Sequence, residues 1–295
     1  MTPVPYVLVT AARNEEKYIE QAIRSVLSQT VQPQRWVIVS DGSTDATDVI
    51  VQRYAEAYPW INLVRAQSGS EHSFRKQARS QNIGYGAVQC DQFEVIGFID
   101  GDTTIPPDLC GYLLSKFSAD LRLGVAGCPY IVEGDDVGAR HFYDTEHVHG
   151  ACQFFRRSCF EQIGSFLELE TGGHDKVAIV LARMNGWSTR SFLDRRVTVH
   201  KAVGFGDRRT AWRSRFKYGC KDYVLGNGVL WEAGRSLYQM AHRPYLLGGL
   251  ALFAGYLYAS QAKMTLNIPR EVRRQVQREQ HRRIFKLLLS SFASH

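Results

Sequence analysis

The feature that most constrains the fold is a regular alternation of two periodicities in the first half of the chain. Short apolar runs at Tyr6–Ala11, Trp36–Val39, Ile61–Ala66 and Val95–Ile99 have the length of buried strands. The segments between them, such as Glu15–Gln29, carry apolar residues at the spacing of one helical face. Strands separated by helices pair in parallel through right-handed crossovers. The sequence therefore predicts an α/β fold with a mainly parallel sheet flanked by helices.

Polar side chains follow three of these strands at the point where each strand ends. Arg13 and Asn14 come after the first strand, Asp41 after the second, and Asp100-Gly101-Asp102 directly after Val95–Ile99. The carboxyl ends of parallel strands meet at one edge of a sheet, and ligands of open sheets bind beyond that edge. We therefore expect these clusters to converge on one site.

The triplet Asp100-Gly101-Asp102 has the chemistry of a divalent-metal site. Two carboxylates that flank a residue without a side chain can hold Mg2+ or Mn2+, which prefer oxygen ligands and commonly share them with the phosphates of a nucleotide. The glycine allows the backbone to approach the ligand closely. Asp-Gly is also a common pair in surface turns, so the triplet alone leaves that explanation open.

Two further aspartates admit both a structural and a functional explanation. Asp41 precedes a helix cap that Ser43 or Thr44 can supply, which leaves its carboxylate available to a base or a ribose. Asp175 lies in the first turn of a predicted helix, where the helix dipole stabilises a negative charge. The same carboxylate could act as a general base.

The basic and imidazole side chains near the strand ends also admit two explanations. His200 ends a predicted strand and is either a structural histidine or a metal ligand. Lys76 lies between Arg75 and Arg79 in a predicted helix at Ser73–Ala87. Such charges commonly form a solvated face, but one of them could reach a phosphate.

The second half of the chain is less regular. We expect one domain over about 1–205, divided at about residue 103, and a helical extension over 206–295. The predicted elements of the middle part are a helix opened by Pro106-Pro107, strands at Leu123–Cys128, Gly150–Arg156 and Val197–His200, and helices at Ser158–Gly164 and Gly173–Gly186.

Taken together, these motifs resemble those of family 2 glycosyltransferases with the GT-A fold. The resemblance covers about residues 5–200, and it is specific through the order and spacing of the motifs. It implies a Rossmann-like sheet, with a nucleotide-binding half at about 1–103 and an acceptor-binding half at about 104–205. It also implies an inverting transfer of a sugar from a nucleotide diphosphate. The motifs that carry it are Val7–Glu16, Ser40–Asp45, Asn82-Ile83-Gly84, Phe98–Asp102, Arg156–Phe160 and Gly173-His174-Asp175.

The resemblance implies nucleotide-binding roles for the residues near the first two strand ends. Thr10, Ala11 and Arg13 would line the nucleotide pocket, and Asp41 would contact the base. Lys76 or a neighbour would approach the diphosphate. A UDP-sugar is the favoured donor.

The resemblance also implies roles in the chemistry. Asp100 and Asp102 would bind the ribose and an Mn2+ or Mg2+ ion, with Asp102 the more direct ligand and His200 a further ligand. Asp175 would be the catalytic base, and His174 would face the acceptor.

Three positions depart from the family pattern. Ser40 stands where an acidic residue is frequent, His174 stands where a glutamate usually precedes the catalytic aspartate, and Gln81 stands where an arginine usually precedes Asn82. The family's acceptor-contacting glutamate and its diphosphate-facing cation therefore have no direct counterpart here.

Charge divides the chain into two parts. From Lys201 onward there are 17 Lys and Arg against 5 Asp and Glu, whereas the first 200 residues carry 19 against 24. The acidic part suits metal-binding carboxylates, and the basic part suits an anionic partner.

The last third of the chain combines this basic charge with an apolar segment. Tyr245–Tyr258 contains no charged residue but is shorter than the roughly 20 residues that span a bilayer. A buried helix and an interfacial helix remain alternatives for it. Because it lies between basic segments, including a predicted amphipathic helix from Pro269, we expect attachment to an anionic membrane surface, with a helical partner or an oligomer interface as the alternative.

The sequence favours an enzyme over the competing classes. We expect a hexosyltransferase-like enzyme at the inner face of the cell membrane, acting on a glycan or polyprenyl-linked acceptor. The start Val4–Ala12 lacks the basic residues of a signal peptide, and no cysteine spacing predicts a zinc site. Nucleic-acid binding is not expected. A nucleotidyltransferase would need a glycine-rich phosphate loop near the first strand, and Thr10–Glu16 contains none. A catalytically silent sugar-nucleotide-binding scaffold is the main alternative.

Overall fold

The computed structural model describes residues 4–66, 74–132, 145–201, 211–242 and 245–293. The chain forms two compact units. The first comprises Met1–Leu169 and His174–Lys201, and the second comprises Glu170–Gly173 and Ala202–His295. The division after Lys201 lies close to the boundary expected at 205.

The first unit contains all of the described strands and six helices among the described residues. The strands are β1 (Tyr6–Ala12), β2 (Arg35–Asp41), β3 (Ile61–Ala66), β4 (Val95–Ile99), β5 (Thr103–Thr104), β6 (Leu123–Gly127), β7 (Tyr130–Val132), β8 (Cys152–Arg156), β9 (Ser188–Ser191) and β10 (Val197–Val199). The helices are α1 (Ile19–Leu27), α2 (Thr47–Ala57), α3 (Phe74–Val88), α4 (Leu109–Ala119), α5 (Arg157–Ile163) and α6 (His174–Met184).

Seven strands form the main sheet in the order β3-β2-β1-β4-β8-β6-β9. The pairs β3-β2, β2-β1 and β1-β4 are parallel, as the alternation predicts, and so is the pair β6-β9. Strand β8 is antiparallel to both β4 and β6. Because β8 runs the opposite way, its first residues lie at the edge where β1, β2 and β4 end.

A second sheet of three short strands, in the order β5-β10-β7, lies next to this edge. Strand β10 is antiparallel to β5, with Val199 opposite Thr103. The backbone N–H of His200 donates a hydrogen bond to the carbonyl of Asp102 at 2.9 Å. The second sheet therefore brings His200 beside the Asp100-Gly101-Asp102 turn.

The main sheet is covered on both faces, which explains the continuous apolar runs of its strands. Tyr6 and Leu8 of β1 are buried on the face covered by α1 and α4. Val7 and Val9 are buried on the opposite face with residues of α3, α5 and α6. This packing holds the strand ends in fixed positions, from which the polar turns extend.

The second unit is helical over its described residues. Its helices are α7 (Ala211–Val224), α8 (Val229–Met240), α9 (Leu247–Gln261) and α10 (Arg270–Ala293). Among the described residues, no helix combines the length and the apolar character needed to cross a membrane. The six cysteines of the chain are all free thiols.

Candidate active site

The turns that follow β1 and β2 are held together by reciprocal hydrogen bonds. Asn14 has a φ of 52°, in the left-handed region that asparagine tolerates better than most residues. Its Oδ1 accepts from the backbone N–H of Thr44 at 2.8 Å, and its own N–H donates to Ser43 Oγ at 3.2 Å. One residue later, the N–H of Glu15 donates to Thr47 Oγ1 at 2.8 Å. Because each turn satisfies polar groups of the other, the two strand ends form one rigid rim.

The predicted nucleotide-pocket residues lie along this rim in different environments. Asp41 is the last residue of β2 and is buried. Thr10 is also buried, and its hydroxyl accepts from Trp36 Nε1 at 3.0 Å, so its side chain faces the core. Ala11 and Arg13 are half-buried. The backbone of Thr10 and Ala11, rather than the Thr10 hydroxyl, is therefore available to line a pocket.

The Asp100-Gly101-Asp102 turn continues β4 and packs against this rim. A Cβ added to Gly101 would lie 3.5 Å from Glu15 Cγ and 3.6 Å from the carbonyl of Ala11. Asp100 Oδ1 accepts from Gln77 Nε2 of α3 at 2.9 Å, and the N–H of Asp100 donates to the carbonyl of Ala151 at 3.1 Å. The first aspartate is thus fixed from both α3 and the start of β8.

The carboxylates near the turn repel one another. Burial raises the pKa of Asp100 to about 8, and the negative charges of Asp102, Asp175 and Glu15 add to the rise. Burial also raises the pKa values of Asp102 and Glu15. A bound cation would reduce the repulsion among the carboxylates of such a cluster.

Lys201 is a cation that sequence analysis did not assign to the site. Its Nζ lies 2.8 Å from Glu15 Oε1, while 53% of its side chain remains exposed. Burial lowers the pKa of Lys201, but the hydrogen bond to Glu15 and the charges of Glu15 and Asp102 outweigh it and raise the pKa. The ammonium group is therefore positively charged beside the predicted metal site.

His200 lies where the resemblance implied a metal ligand. Its Nε2 is 2.9 Å from Thr104 Oγ1, and its ring stacks on Tyr18 with the centroids 6.1 Å apart. The charge interaction with His200 lowers the pKa of Asp102, against the dominant effect of burial. Among the described residues, no group of three or more His, Cys, Asp or Glu side chains is arranged to hold a metal ion.

Asp175 lies at the start of α6, opposite the beginning of β8. A Cβ built on Gly150 would lie only 2.8 Å from Asp175 Oδ2. A glycine at position 150 therefore leaves the space that the Asp175 carboxylate occupies. Because Asp175 also contributes to the raised pKa of Asp100, the structure brings the predicted base and the predicted metal site together.

The two remaining predicted residues have mixed surroundings. His174 is buried, and its ring packs edge-on against Phe166 with the centroids 5.2 Å apart. Lys76 is half-buried and precedes Gln77 in the first turn of α3, next to the helix residue that binds Asp100.

Four residues with defined positions at the site were not among the predicted site residues. They are Glu15, Gln77, Gly150 and Lys201. The sequence carried a signal for two of them, since Glu15 belongs to the Val7–Glu16 motif and Lys201 follows His200. Gln77 and Gly150 had no such signal, because their roles depend on contacts with Asp100 and Asp175.

A mainly parallel sheet with a carboxylate cluster at its carboxyl edge, flanked by a small second sheet, defines the chain as a GT-A-fold protein. The profile of glycosyl transferase family 2 matches residues 7–168, which is more than half of the chain, and the chain belongs to this family. Asp175 and His200 lie beyond the matched residues.

Curated relatives agree with this assignment over the first part of the chain. A Bacillus subtilis protein assigned as the glycosyltransferase EpsH is 32% identical over 136 residues, which are 44% of this chain and 35% of that protein. The beta-monoglucosyldiacylglycerol synthase of Synechocystis is 29% identical over 124 residues, which are 40% of this chain and 24% of that enzyme. The chain thus matches about a third or less of the length of these relatives.

Solved structures share the fold over most of the chain. The mannosyltransferase PcManGT of Pyrobaculum calidifontis, in complex with GDP-Man and Mn2+, superposes with a TM-score of 0.61 at 18% identity and covers 89% of both chains. TarS 1-349 of S. aureus in complex with UDP has a TM-score of 0.54 at 15% identity, covering 95% of this chain and 91% of that one. At these identities the similarity establishes the fold.

Proposed function

We propose that the protein transfers a sugar from a nucleotide-diphosphate sugar, with a UDP-sugar favoured, and inverts the anomeric carbon. The observation that carries this proposal is the convergence of Asp100, Asp102 and Asp175 at the carboxyl edge of the sheet of a family 2 member. The acceptor is a hydroxyl of a glycan or a polyprenyl-linked glycan. The GDP-Man and UDP complexes of the two fold neighbours support a nucleotide donor.

Asp175 would act as the general base. Its carboxylate takes the proton of the acceptor hydroxyl as that oxygen attacks the anomeric carbon, on the face opposite the leaving diphosphate. The amino end of α6 stabilises the negative form of the carboxylate. Gly150 supports this role, because it leaves room for the carboxylate beside the start of β8.

Asp102 and Asp100 would hold an Mn2+ or Mg2+ ion, which would neutralise the charge of the diphosphate, and His200 would have to move into reach to serve as a third ligand. The crowded carboxylates fit a cation, because the charges of Asp102, Asp175 and Glu15 raise the pKa of Asp100. The described residues provide too few ligands for an all-protein site, so oxygens of the diphosphate would complete the set.

Two cations of the chain would face the diphosphate. Lys76 lies in the first turn of α3 and precedes Gln77, whose side chain donates to Asp100. Lys201 is positively charged beside Glu15 and Asp102, with about half of its side chain exposed. Either ammonium group can stabilise the negative charge that develops on the leaving group, without acting as an acid. Asp41 would accept a hydrogen bond from the nucleobase of the donor.

We further propose that the protein works at an anionic membrane surface, as a peripheral protein on the cytoplasmic side. The strongly basic composition from Lys201 onward supports this placement. A lipid-linked acceptor would be presented at such a surface.

Calorimetric titration of UDP, GDP, dTDP and CMP, each with and without Mn2+, tests the donor and the metal. We expect one diphosphate to bind in an Mn2+-dependent manner, and Asp102→Asn to remove the Mn2+-dependent part. If no diphosphate binds in the presence of Mn2+, the metal assignment is wrong.

Release of UDP from a UDP-sugar, with water or membrane extract as acceptor, tests the base. We expect Asp175→Asn to keep donor binding and to slow release by about 10³-fold. Equal rates for the two proteins would contradict the assignment. Donor binding with no turnover in the unmodified protein would support the scaffold alternative.

A further inference from the structure

Helix α8 has an inverted distribution of polar and apolar side chains. Glu232 is fully buried and Ser236 is 2% exposed, whereas Leu230 and Leu237 are each 66% exposed and Tyr238 is 52% exposed. A helix on a water-facing surface directs its apolar stripe inward and its polar residues outward. The outward stripe of α8 therefore suits apolar surroundings.

The buried charges of α8 are compensated within the second unit. Arg235 forms ion pairs with Asp222 of α7 and with Glu232, the latter at 3.8 Å. Asn227 Nδ2 donates to Glu232 Oε2 at 3.5 Å. Because these polar groups have partners, the inward position of Glu232 is a stable feature of the packing.

Helix α9 also directs its large apolar residues outward. Leu247, Leu250, Leu257 and Tyr258 are exposed. The residues that it buries are mostly small, although Leu252 and Tyr256 are among them. The buried set is Gly248, Gly249, Leu252, Gly255, Tyr256 and Ala259.

The small residues of α9 allow its backbone to approach both neighbouring helices. A Cβ on Gly249 would collide with the carbonyl oxygen of Ser236 in α8, and one on Gly255 would collide with that of Phe216 in α7. Gly219 of α7 makes the reciprocal contact with the carbonyl of Leu252. Close packing through small residues holds helices together where surrounding lipid removes the hydrophobic driving force between them.

The exposed leucines and tyrosines of α8, of α9 and of the described part of the turn between them form what we name the hairpin surface. It comprises Leu230, Leu237, Tyr238, Tyr245, Leu246, Leu247, Leu250, Leu257 and Tyr258, all exposed. Single exposed apolar residues are ordinary on a soluble protein, whereas a cluster of this size indicates an interaction surface.

The charge of the same unit favours lipid over a second copy of the chain as the occupant. Arg270, Arg274, Arg278 and Arg282 of α10 are exposed, as are Arg213 and Lys217 of α7. Helix α10 is joined to the start of α8, since Gln280 accepts from the N–H of Gly228 at 2.8 Å. A second copy would bring an equally basic unit, whereas anionic headgroups would complement it.

The dimensions of α9 indicate a shallow position. Its 15 residues extend about 22 Å, less than the roughly 30 Å of a hydrocarbon core. The tyrosines of the hairpin surface suit the headgroup boundary, where the ring is in an apolar layer and the hydroxyl is hydrated.

We propose that the hairpin surface inserts into the interfacial layer of a membrane that contains anionic lipid, while the arginines of α10 bind the headgroups. The inference deepens the membrane partner of the proposed function by assigning the element that enters the lipid. It does not depend on the identity of the donor or on the metal.

Flotation of the full chain with vesicles of phosphatidylcholine, with and without phosphatidylglycerol, tests the proposal. We expect the protein to float with the anionic vesicles, and the double variant Leu237→Gln with Leu250→Gln to bind at least about tenfold more weakly. The matched control is Leu121→Gln, an exposed leucine of the first unit, which should float like the unmodified protein.

Tyr238→Trp provides a second readout. We expect its fluorescence to be quenched by vesicles with brominated acyl chains. Flotation of the double variant equal to that of the unmodified protein, or a lack of quenching at position 238, would overturn the proposal. So would a stable dimer without lipid that the double variant abolishes, because a second copy would then be the occupant.

UDP binding by the double variant separates this proposal from the proposed function. We expect unchanged binding, since the substitutions lie in the second unit. Loss of flotation with retained UDP binding supports the inserting hairpin, whether or not the donor assignment is correct.

Discussion

At the scale of single residues, the site is defined by carboxylates whose charges oppose one another. Asp100 ends a strand that is buried along its whole length, so its carboxyl group leaves the core next to Asp102 and within range of Asp175. A hydrogen bond from Gln77 directly favours its negative form. The protein thus maintains a local excess of negative charge, which is costly unless a cation is bound.

This excess predicts a pH-dependent gain of stability for Asp100→Asn. The pKa of Asp100 is raised to about 8 in the folded protein, above its unfolded value of about 4. Stability from this group is therefore fully present below pH 4 and is lost as the pH rises through about 8. The amide avoids this loss, so we expect the advantage of the variant over the unmodified protein to grow as the pH rises from about 4 to about 8, by at most about 5 kcal/mol in total, and to stay constant above that.

Urea unfolding in the presence of EDTA measures this difference. A difference in the free energy of unfolding that does not change with pH would contradict it. Saturating Mn2+ should reduce the advantage of Asp100→Asn, because the bound cation stabilises the carboxylate that the variant lacks.

Lys201 predicts a selective effect on diphosphate binding. We expect Lys201→Ala to weaken UDP binding about tenfold and to leave UMP binding almost unchanged, because the ammonium group would face the second phosphate. Calorimetry with both nucleotides measures the ratio. Lys263→Ala, in the second unit, is the charge-matched control. Equal losses for UDP and UMP would indicate that Lys201 only supports the fold through Glu15.

Gly150 predicts a loss of catalysis without a loss of donor binding. In Gly150→Ala the new methyl group would collide with the Asp175 carboxylate, so we expect a displaced base and a fall in UDP release of at least about tenfold. Gly86→Ala is the matched control, since a Cβ there meets nothing within 4 Å and alanine favours the helix. Full activity of Gly150→Ala would show that the carboxylate is not constrained at this point.

At the scale of secondary-structure elements, the sequence predicted the parts of the fold that depend on local periodicity. The strands at Ile61–Ala66 and Val95–Ile99 have the predicted bounds, because each is an apolar run buried in the sheet. Helix α1 begins at Ile19 instead of Glu15, because Asn14 and Glu15 bind the turn after β2. That difference arises from contacts that local periodicity does not encode.

The elements that escaped prediction are short or depend on pairing. Strands β5, β7 and β9 have two to four residues, too few for an alternation to be recognised. Strand β8 pairs antiparallel with both β4 and β6, and local periodicity does not encode the direction in which a strand pairs. At the site, Asp100, Asp102 and Asp175 could be predicted from motifs, whereas Gln77 and Gly150 could be found only from distances.

The hydrogen-bonded rim between the first two strand ends makes a prediction at this scale. We expect Asn14→Ala to lower the free energy of unfolding by about 2 kcal/mol, because it removes the bond to Thr44 and places alanine at a positive φ. Asn14→Gly should restore part of this loss, since glycine tolerates the backbone conformation. Denaturant unfolding of both variants separates the two contributions, and equal stability of Ala and Gly variants would exclude backbone strain.

At the scale of the whole molecule, the two units carry opposite net charges. The acidic first unit holds the carboxylate cluster, and the basic second unit exposes the arginines of α10 and the hairpin surface. In the proposed membrane attachment, attraction to anionic lipid and insertion would be separate contributions, the first weakened by salt and the second nearly independent of it. The arginines of α10 and the leucines of α8 and α9 should therefore respond differently to ionic strength.

Charge removal on α10 tests this separation. We expect Arg274→Gln with Arg278→Gln to weaken binding to vesicles containing phosphatidylglycerol by about 2 kcal/mol at low salt. The loss should shrink at high salt, because screening already weakens those contacts in the unmodified protein. Substitutions of Lys17 and Arg122 by Gln, both exposed in the first unit, remove the same charge and should have little effect. If both double variants lost the same binding free energy, the net charge of the protein would account for its attraction to the vesicles. A direct contact between α10 and the headgroups predicts a larger loss for the α10 variant.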